Sequence, residues 1–236
     1  MFLVKRSRII SIILVLSVVA FTLCIIGVTS NSTVDNKEIT VVLDAGHGGI
    51  DNGVTGRYTG AKESELNLSI TKKVKNNLIK AGIKVVLTRE SSNGLYGLAT
   101  KNRKRKDMLK RKEIIESVNP NLVLSIHQNY YSLPSRRGAQ VFFDEGKEES
   151  KSFAKKLQQS LNNMEEASRE CSILKGDYYI LNSHQYPSAL VECGFLSNKE
   201  DENLLITEEY QEKIAYAIFK GIIDYLSTTT SYGFNV

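Results

Sequence analysis

Hydrophobic and polar positions alternate along this chain with two periods, one typical of strands and one typical of helices. Short apolar or β-branched runs predict strands at residues 38–44, 83–89, 122–127, 139–143, 178–181 and 189–193. Between the first two of these runs an apolar residue recurs at every fourth position, at Leu66, Ile70, Val74 and Leu78. This spacing predicts a helix, and Gly82 follows where a helix end favours glycine. Further helices are predicted over residues 98–118, 148–163 and 208–226.

The order of these elements predicts the class of fold. Strands that are continuously apolar are buried on both faces, which is typical of parallel sheets covered by helices. After residue 37 the pattern contains no internal repeat and no second linker rich in Pro, Gly or Ser. We therefore predict a single α/β domain with a twisted, mostly parallel sheet of about six strands and helices on both faces, preceded by an N-terminal transmembrane or signal segment.

Residues 9–28 form an uninterrupted apolar run without a charged side chain. A helix of about 20 residues spans roughly 30 Å, the hydrocarbon thickness of a bilayer. Basic residues lie just before the run and none follows until Lys37, which predicts export of the remainder. A cleaved signal peptide is the alternative, and a lipoprotein modified at Cys24 is a third. The predicted organisation is a signal anchor or signal peptide at 1–30, a linker at 31–37, one folded domain at 38–227 and a tail at 228–236.

Composition places the chain among globular proteins. It has 236 residues, of which 42% are hydrophobic and 24% charged, and this excludes disordered and disulfide-framework classes. Outside the membrane segment the cysteines are Cys171 and Cys193, and neither lies in a metal-binding C-x-x-C pattern. A disulfide between them is one alternative, but we expect free buried thiols.

The formal net charge of +5 is unevenly distributed. Residues 101–112 are dense in Lys and Arg, whereas the rest of the exported part is net acidic. We predict that this basic block is a solvated helix face. Contact with an anionic wall polymer, with phospholipid head groups or with a partner protein is the alternative, and export argues against nucleic acid.

Three predicted strands end at residues that can bind metal or move protons. His47 stands among glycines after the first strand, His127 ends another strand, and Glu192 lies inside an apolar strand end. In parallel sheets such residues meet at the carboxyl edge. Glu63, at the start of a predicted helix, can add a carboxylate, and two imidazoles with one carboxylate are a ligand set of catalytic zinc enzymes. Burial of the Glu192 carboxylate is costly without a partner, which indicates metal or proton chemistry.

Taken alone, each of these residues could also have a purely structural role. A lone histidine after a strand is more often structural than a ligand, and a glutamate at a helix start favours the helix dipole. The combination is what indicates chemistry. The third histidine, His184, follows none of these strand ends and is predicted to be a loop or surface residue.

Five motifs give this combination a family resemblance. In chain order they are VVLDAGHGG, ESELNL, VVLTR, LVLSIHQN and ALVECGFLSN. They resemble the successive signatures of the zinc-dependent N-acetylmuramoyl-L-alanine amidases of the amidase 3 family, over about residues 38–227. An ordered set of five motifs is far more specific than a single G-H-G-G.

The resemblance implies the roles of the candidate residues. It implies one Zn²⁺ held by His47, Glu63 and His127, with Glu192 as catalytic acid and base. Glu65 is the nearest rival for the Glu63 role, but only Glu63 has the family's spacing from the following leucine. Two further motif residues, Arg89 and Asn129, are predicted to support the site.

The same resemblance implies the reaction and its setting. The family hydrolyses the amide between N-acetylmuramic acid and L-alanine, which removes stem peptides from peptidoglycan glycan strands. A membrane segment followed by a bare catalytic domain resembles the sporulation-specific cortex amidases, which implies muramic-δ-lactam formation and a role in germination. A vegetative autolysin and a catalytically silent wall-binding scaffold are the alternatives.

The expected partners are peptidoglycan, the membrane through residues 9–28 and an accessory activating envelope protein. The expected location faces the cell wall or the forespore intermembrane space.

Overall fold

The computed structural model describes Ser17, residues 38–167 and residues 169–229. The predicted membrane segment at 9–28, except for Ser17, and the linker at 31–37 lie outside the described residues, as does most of the predicted tail. In the described part of the chain no helix has the length and apolar character needed to cross a bilayer.

A six-stranded sheet forms the centre of the domain. Its strands are β1 (Thr40–Ala45), β2 (Lys84–Leu87), β3 (Leu122–Asn129), β4 (Gln140–Phe143), β5 (Leu174–Lys175) and β6 (Ser188–Phe195). The spatial order is β2-β1-β3-β6-β4-β5. Neighbouring strands are parallel except for β4 and β6, which pair antiparallel. The predicted mostly parallel α/β sheet is therefore confirmed.

Six helices surround this sheet in the described ranges. They are α1 (Glu63–Lys80), α2 (Arg103–Val118), α3 (Glu148–Asn162), α4 (Tyr179–Asn182), α5 (Lys199–Leu205) and α6 (Glu208–Thr229). Side chains alternate between the two faces of each strand. Val41 and Leu43 accordingly join the larger apolar cluster with α1, α3 and α6, whereas Val42 joins the smaller one with Ile115 of α2 and Leu181 of α4. Helices therefore cover both faces, as predicted.

The prediction of a strand at residues 178–181 is wrong. The backbone N–H groups of Leu181 and Asn182 both donate to the carbonyl of Tyr178, so this run begins the short helix α4. A short apolar run fits a strand or one buried helical turn equally well by pattern. The sheet edge is instead formed by β5, a strand of two exposed residues that has no apolar pattern.

Other boundaries differ less from the predictions. The second long helix begins at Arg103 rather than at residue 98, and α5 was not predicted. The side chain of Asn198 caps α5 by accepting hydrogen bonds from the N–H groups of Glu200 and Asp201, each at 3.0 Å. Cys171 and Cys193 are free and buried, as expected.

Candidate active site

The loop that follows β1 presents His47 in an unusual backbone conformation. His47 has φ of 61°, in the left-handed region that side chains other than glycine rarely adopt. Hydrogen bonds maintain this conformation, because the Gly48 N–H donates to the Asp51 carbonyl at 2.8 Å and the Arg111 guanidinium donates to the His47 carbonyl at 2.6 Å. Strained backbone of this kind clusters at functional sites.

His47, Glu63 and His127 form a compact group of potential metal ligands. One ligand atom from each of them lies within 4.8 Å of the others. Glu63 Oε1 lies 3.1 Å from His47 Nε2 and 2.9 Å from His127 Nδ1. The other ring nitrogen of His47 lies 3.0 Å from Asp51 Oδ1, a contact that orients the ring. Two imidazoles and one carboxylate are a donor set typical of catalytic zinc, so these residues fit that ion.

Two glycines allow the loop to approach these donors closely. A Cβ added to Gly46 would collide with the His127 ring, and one added to Gly53 would collide with the Glu63 carboxylate. Gly53 also has φ of 67°, a conformation that glycine adopts without strain. Glycine at both positions is therefore required by the packing of the candidate ligands.

Glu63 is buried, with 2% of its surface exposed, at the first turn of α1. It accepts hydrogen bonds from the N–H groups of Val54 at 2.8 Å and Gln128 at 3.2 Å. Burial raises the pKa of this carboxyl, but hydrogen bonds and charge interactions with His127 and His47 outweigh it and lower the pKa well below its usual range. The rival Glu65 is exposed and pairs with Lys62 at 3.2 Å, away from the group.

Glu192 lies on β6 directly beside His127 of β3 in the sheet register. Its side chain is buried, and its Oε2 atom has no hydrogen-bond partner among the described residues. Burial raises the pKa of this carboxyl to about 7, with His127 and His47 opposing the shift and Glu63 adding to it. A carboxyl with such a pKa can both accept and return a proton near neutral pH.

Two buried arginines fix the loop that carries His47. Arg89 donates to the carbonyls of Ala45 at 2.8 Å and Gly46 at 2.9 Å. Arg111 donates to the Ala45 carbonyl at 2.8 Å and forms a buried ion pair with Asp44. Burial raises the pKa of the Asp44 carboxyl, but Arg111, followed by two hydroxyl hydrogen bonds, lowers that pKa to about 2. Asp44 is therefore charged inside the protein at neutral pH.

The structure also locates the remaining predicted residues. Asn129 ends β3 and borders the groove, where its side chain accepts a hydrogen bond from the Tyr130 N–H at 2.8 Å. Asp44 and Asp51 were not among the predicted site residues. Arg111 belongs to the block at 101–112 that was predicted to be a solvated helix face, and for this residue the prediction is wrong, because its side chain is buried. A charged residue at the end of the apolar run VVLD is the same signal that indicated Glu192, and it could have identified Asp44.

His184 lies in the loop before β6, as one of the two predicted alternatives had it. It is buried, with 7% of its surface exposed, so the alternative of a surface residue is wrong. Burial, aided by the nearby charge of Lys147, lowers the pKa of His184 to about 4.

A groove of about 840 Å³ leads to this group of residues. The three candidate ligands and Glu192 line it, together with tyrosines and with residues of α2. The tyrosines are Tyr96, Tyr130, Tyr178 and Tyr179, and the α2 side chains include Arg103 and Lys104. The wrongly predicted segment thus forms part of the groove as α4.

Comparison with known proteins identifies close relatives. Residues 41–224 match the amidase 3 family, described as N-acetylmuramoyl-L-alanine amidase. The chain is 36% identical over 193 residues to the germination-specific N-acetylmuramoyl-L-alanine amidase of Bacillus subtilis strain 168, covering 79% of each chain. It is 31% identical over 189 residues to the amidase LytC of the same strain, covering 79% of this chain and 35% of LytC. The chain is also similar to the CwlD amidase from Clostridioides difficile, whose structure was solved in complex with the GerS lipoprotein. The two chains are 40% identical in sequence, and their structures superpose with a TM-score of 0.76. The match covers 81% of this chain and 100% of that one.

Proposed function

This chain belongs to the amidase 3 family of N-acetylmuramoyl-L-alanine amidases, and from that premise we propose that it cleaves the N-acetylmuramoyl-L-alanine amide with one Zn²⁺ held by His47, Glu63 and His127 and with Glu192 as acid and base. The observation that carries the proposal is the convergence of three donor atoms within 4.8 Å beside a buried carboxyl with an unpartnered oxygen. The four residues lie in the loop after β1, in α1, in β3 and in β6, and their order along the chain supports the same assignment.

Glu192 performs the proton transfers in this proposal. Its carboxylate takes a proton from the attacking water and delivers it to the departing nitrogen, because an amide is cleaved only when the amine leaves protonated. When bound, zinc polarises the amide carbonyl and makes water more acidic. Burial of Glu192 in the apolar strand β6 maintains its raised pKa.

The supporting residues act through the loop after β1. Arg89 fixes the carbonyls of Ala45 and Gly46, and Asp51 orients the His47 ring. Asn129 borders the groove beyond β3 and supports the turn to Tyr130. We assign these residues to positioning rather than to the reaction itself.

We propose the spore cortex as the setting of this activity, where removal of stem peptides prepares muramic-δ-lactam for germination. The similarity to the germination-specific amidase of B. subtilis, which covers 79% of both chains, supports this setting. A vegetative autolysin is the second candidate, supported by the similarity to LytC, of which the chain covers 35%. The complete set of candidate ligands together with Glu192 argues against a silent scaffold.

The proposal extends to location and partners. We propose that residues 1–30 direct the domain at 38–227 outside the cytoplasm, through a membrane anchor at 9–28 or a cleaved signal, with the linker at 31–37 between them. The CwlD relative was solved with a lipoprotein, and this supports an accessory envelope protein for the present chain. Peptidoglycan is the proposed substrate.

A chemical assay tests the reaction. Purified glycan strands with stem peptides, incubated with zinc-loaded protein, should release peptides with a free N-terminal L-alanine, identified by mass spectrometry. Glu192→Gln should lower kcat by about 10² to 10⁴-fold, while metal analysis still finds one zinc per chain. Glu65→Gln, an exposed change on the same helix as Glu63, is the matched control and should leave kcat unchanged. Equal activity of Glu192→Gln and the unaltered protein would contradict the assigned role.

A second experiment tests the setting. Muropeptides from spores of a strain that lacks this chain should contain no muramic-δ-lactam, and complementation with the unaltered chain should restore it. Complementation with Glu192→Gln should not. Normal lactam content in the deleted strain, with delayed separation of vegetative cells, would favour the autolysin instead.

A further inference from the structure

The groove contains two cationic side chains for which the proposed chemistry has no use. We infer that Arg103 and Lys104 of α2 form a carboxylate-binding subsite that recognises the acidic stem peptide of the substrate. This inference rests on the proposed function and deepens it, since it names the part of the substrate that the enzyme selects. It also gives a role to two residues of the basic block at 101–112.

The cations of α2 differ in how they are neutralised. Lys110 pairs with Glu113 at 2.7 Å, and Lys112 lies 3.6 Å from Glu116. Arg111 is buried against its own two carboxylates. Arg103 and Lys104, by contrast, line the groove. Among the described residues neither forms an ion pair, although Lys104 interacts electrostatically with Asp51 of the same groove.

Arg103 is fixed in place before any ligand binds. Its Nε donates to the Ala99 carbonyl at 2.7 Å, and its guanidinium lies 5.6 Å from the centre of the Tyr96 ring. Tyr96 is held in turn, because its hydroxyl accepts a hydrogen bond from the Ile50 N–H at 3.0 Å. A preorganised guanidinium binds a carboxylate through parallel N–H groups without first losing side-chain entropy.

The charge of the surrounding protein favours such a subsite. Outside the basic block the exported part of the chain is net acidic, and the groove itself contains the carboxyl groups of Glu63 and Glu192. Stem peptides of peptidoglycan carry free carboxylates, whereas N-acetylated sugars are neutral. Cations in the groove therefore attract the peptide and orient it relative to the glycan.

The test compares two substrates that differ only in charge. The zinc-loaded full chain is given glycan strands whose stem-peptide carboxylates are free, and the same strands after conversion of those carboxylates to primary amides. We expect the unaltered protein to favour the acidic strands in kcat/KM. Lys104→Gln or Arg103→Gln should lower kcat/KM on acidic strands by about five-fold each, mainly through KM, and change it less than two-fold on amidated strands.

Lys106→Gln is the matched control. Lys106 is an exposed cation of the same helix that does not line the groove, so its loss removes the same charge at nearly the same place. It should leave kcat/KM on both substrates unchanged, and equal thermal midpoints show that all three variants are folded.

The outcomes distinguish failure of the carboxylate-binding subsite from failure of the proposed amidase function. Equal kcat/KM of the unaltered protein on both substrates would overturn the subsite, and so would equal losses by Lys104→Gln on acidic and amidated strands. In either case the amidase activity stands. Failure of the unaltered protein to cleave either substrate would overturn the proposed function, and with it the subsite.

Discussion

The buried side chain of Arg111 connects stability to the geometry of the candidate metal site. Its surface is 1% exposed, and it donates to Asp44, to Asp107 at 2.6 Å, and to the carbonyls of Ala45 at 2.8 Å and His47 at 2.6 Å. Replacement by Met keeps most of the volume but removes every donor. Asp44 would then remain buried as an anion with only hydroxyl groups as partners.

The cost of Arg111→Met follows from this arrangement. Removing one partner of a buried ion pair costs about 3–5 kcal/mol, because the other charge is left uncompensated. Arg111→Lys keeps the charge but cannot reach four acceptors, so we expect a loss of about 1–3 kcal/mol. The carbonyl of His47 loses its donor in both variants, and the strained backbone there is released. Zinc affinity should therefore fall together with stability.

Two measurements test this reasoning. Urea denaturation of the apo-protein gives the free energy of unfolding, and competition with a chelator gives zinc affinity. Arg105→Met, an exposed change on the same helix, is the control and should alter neither quantity. Asp44→Asn combined with Arg111→Met should destabilise less than the sum of the single changes, since the uncompensated charge is then absent. A loss below about 1 kcal/mol for Arg111→Met, with unchanged zinc affinity, would refute the reasoning.

Three further predictions concern individual residues of the site and the one histidine outside it. Gly46→Ala should lower zinc affinity because its methyl group collides with the His127 ring. Gly146→Ala, whose added Cβ would meet only the Asp144 side chain at 3.4 Å, should not, and equilibrium dialysis with zinc distinguishes the two variants. Zinc should raise the thermal midpoint of the unaltered protein and of His184→Gln, but not that of His47→Ala. An undiminished rise in His47→Ala would exclude His47 as a ligand. Burial lowers the pKa of His184 from 6.5 to about 4, so between these pH values the unfolded chain binds a proton that the folded protein does not. The free energy of unfolding should therefore fall as pH decreases from 6.5 to 4, by about 2 kcal/mol more than in His184→Gln. Urea denaturation at several pH values measures this difference.

Periodicity predicted most of the fold because each central strand contributes to both faces of the sheet. Val41 and Leu43 pack on one side and Val42 on the other, so the continuous apolar run could be recognised without tertiary information. The segment at 178–181 could not be assigned in the same way. Its short apolar run fits a strand or a helical turn equally well, and in the structure Ile180 and Leu181 pack with Ile115 of α2 as a helical turn.

Some residues of the site could likewise be predicted from the sequence, and others could not. Residues that follow strands, such as His127 and Glu192, could be found because the polar residue interrupts an apolar pattern. Asp51 and Arg111 could not, because their importance depends on partners that the fold brings together. Arg111 occurs within a basic run, where nothing local distinguishes the one buried cation from its exposed neighbours.

The register of β1 and β3 determines whether the candidate metal ligands meet at all. Ala45 pairs with Ile126, and this single alignment brings His47 and His127, which are distant in sequence, to one edge of the sheet. A slip of one residue would turn His127 toward the opposite face. A partly folded or misaligned chain therefore lacks the candidate ligand group, so the three donor atoms come together only after the central strands have paired correctly.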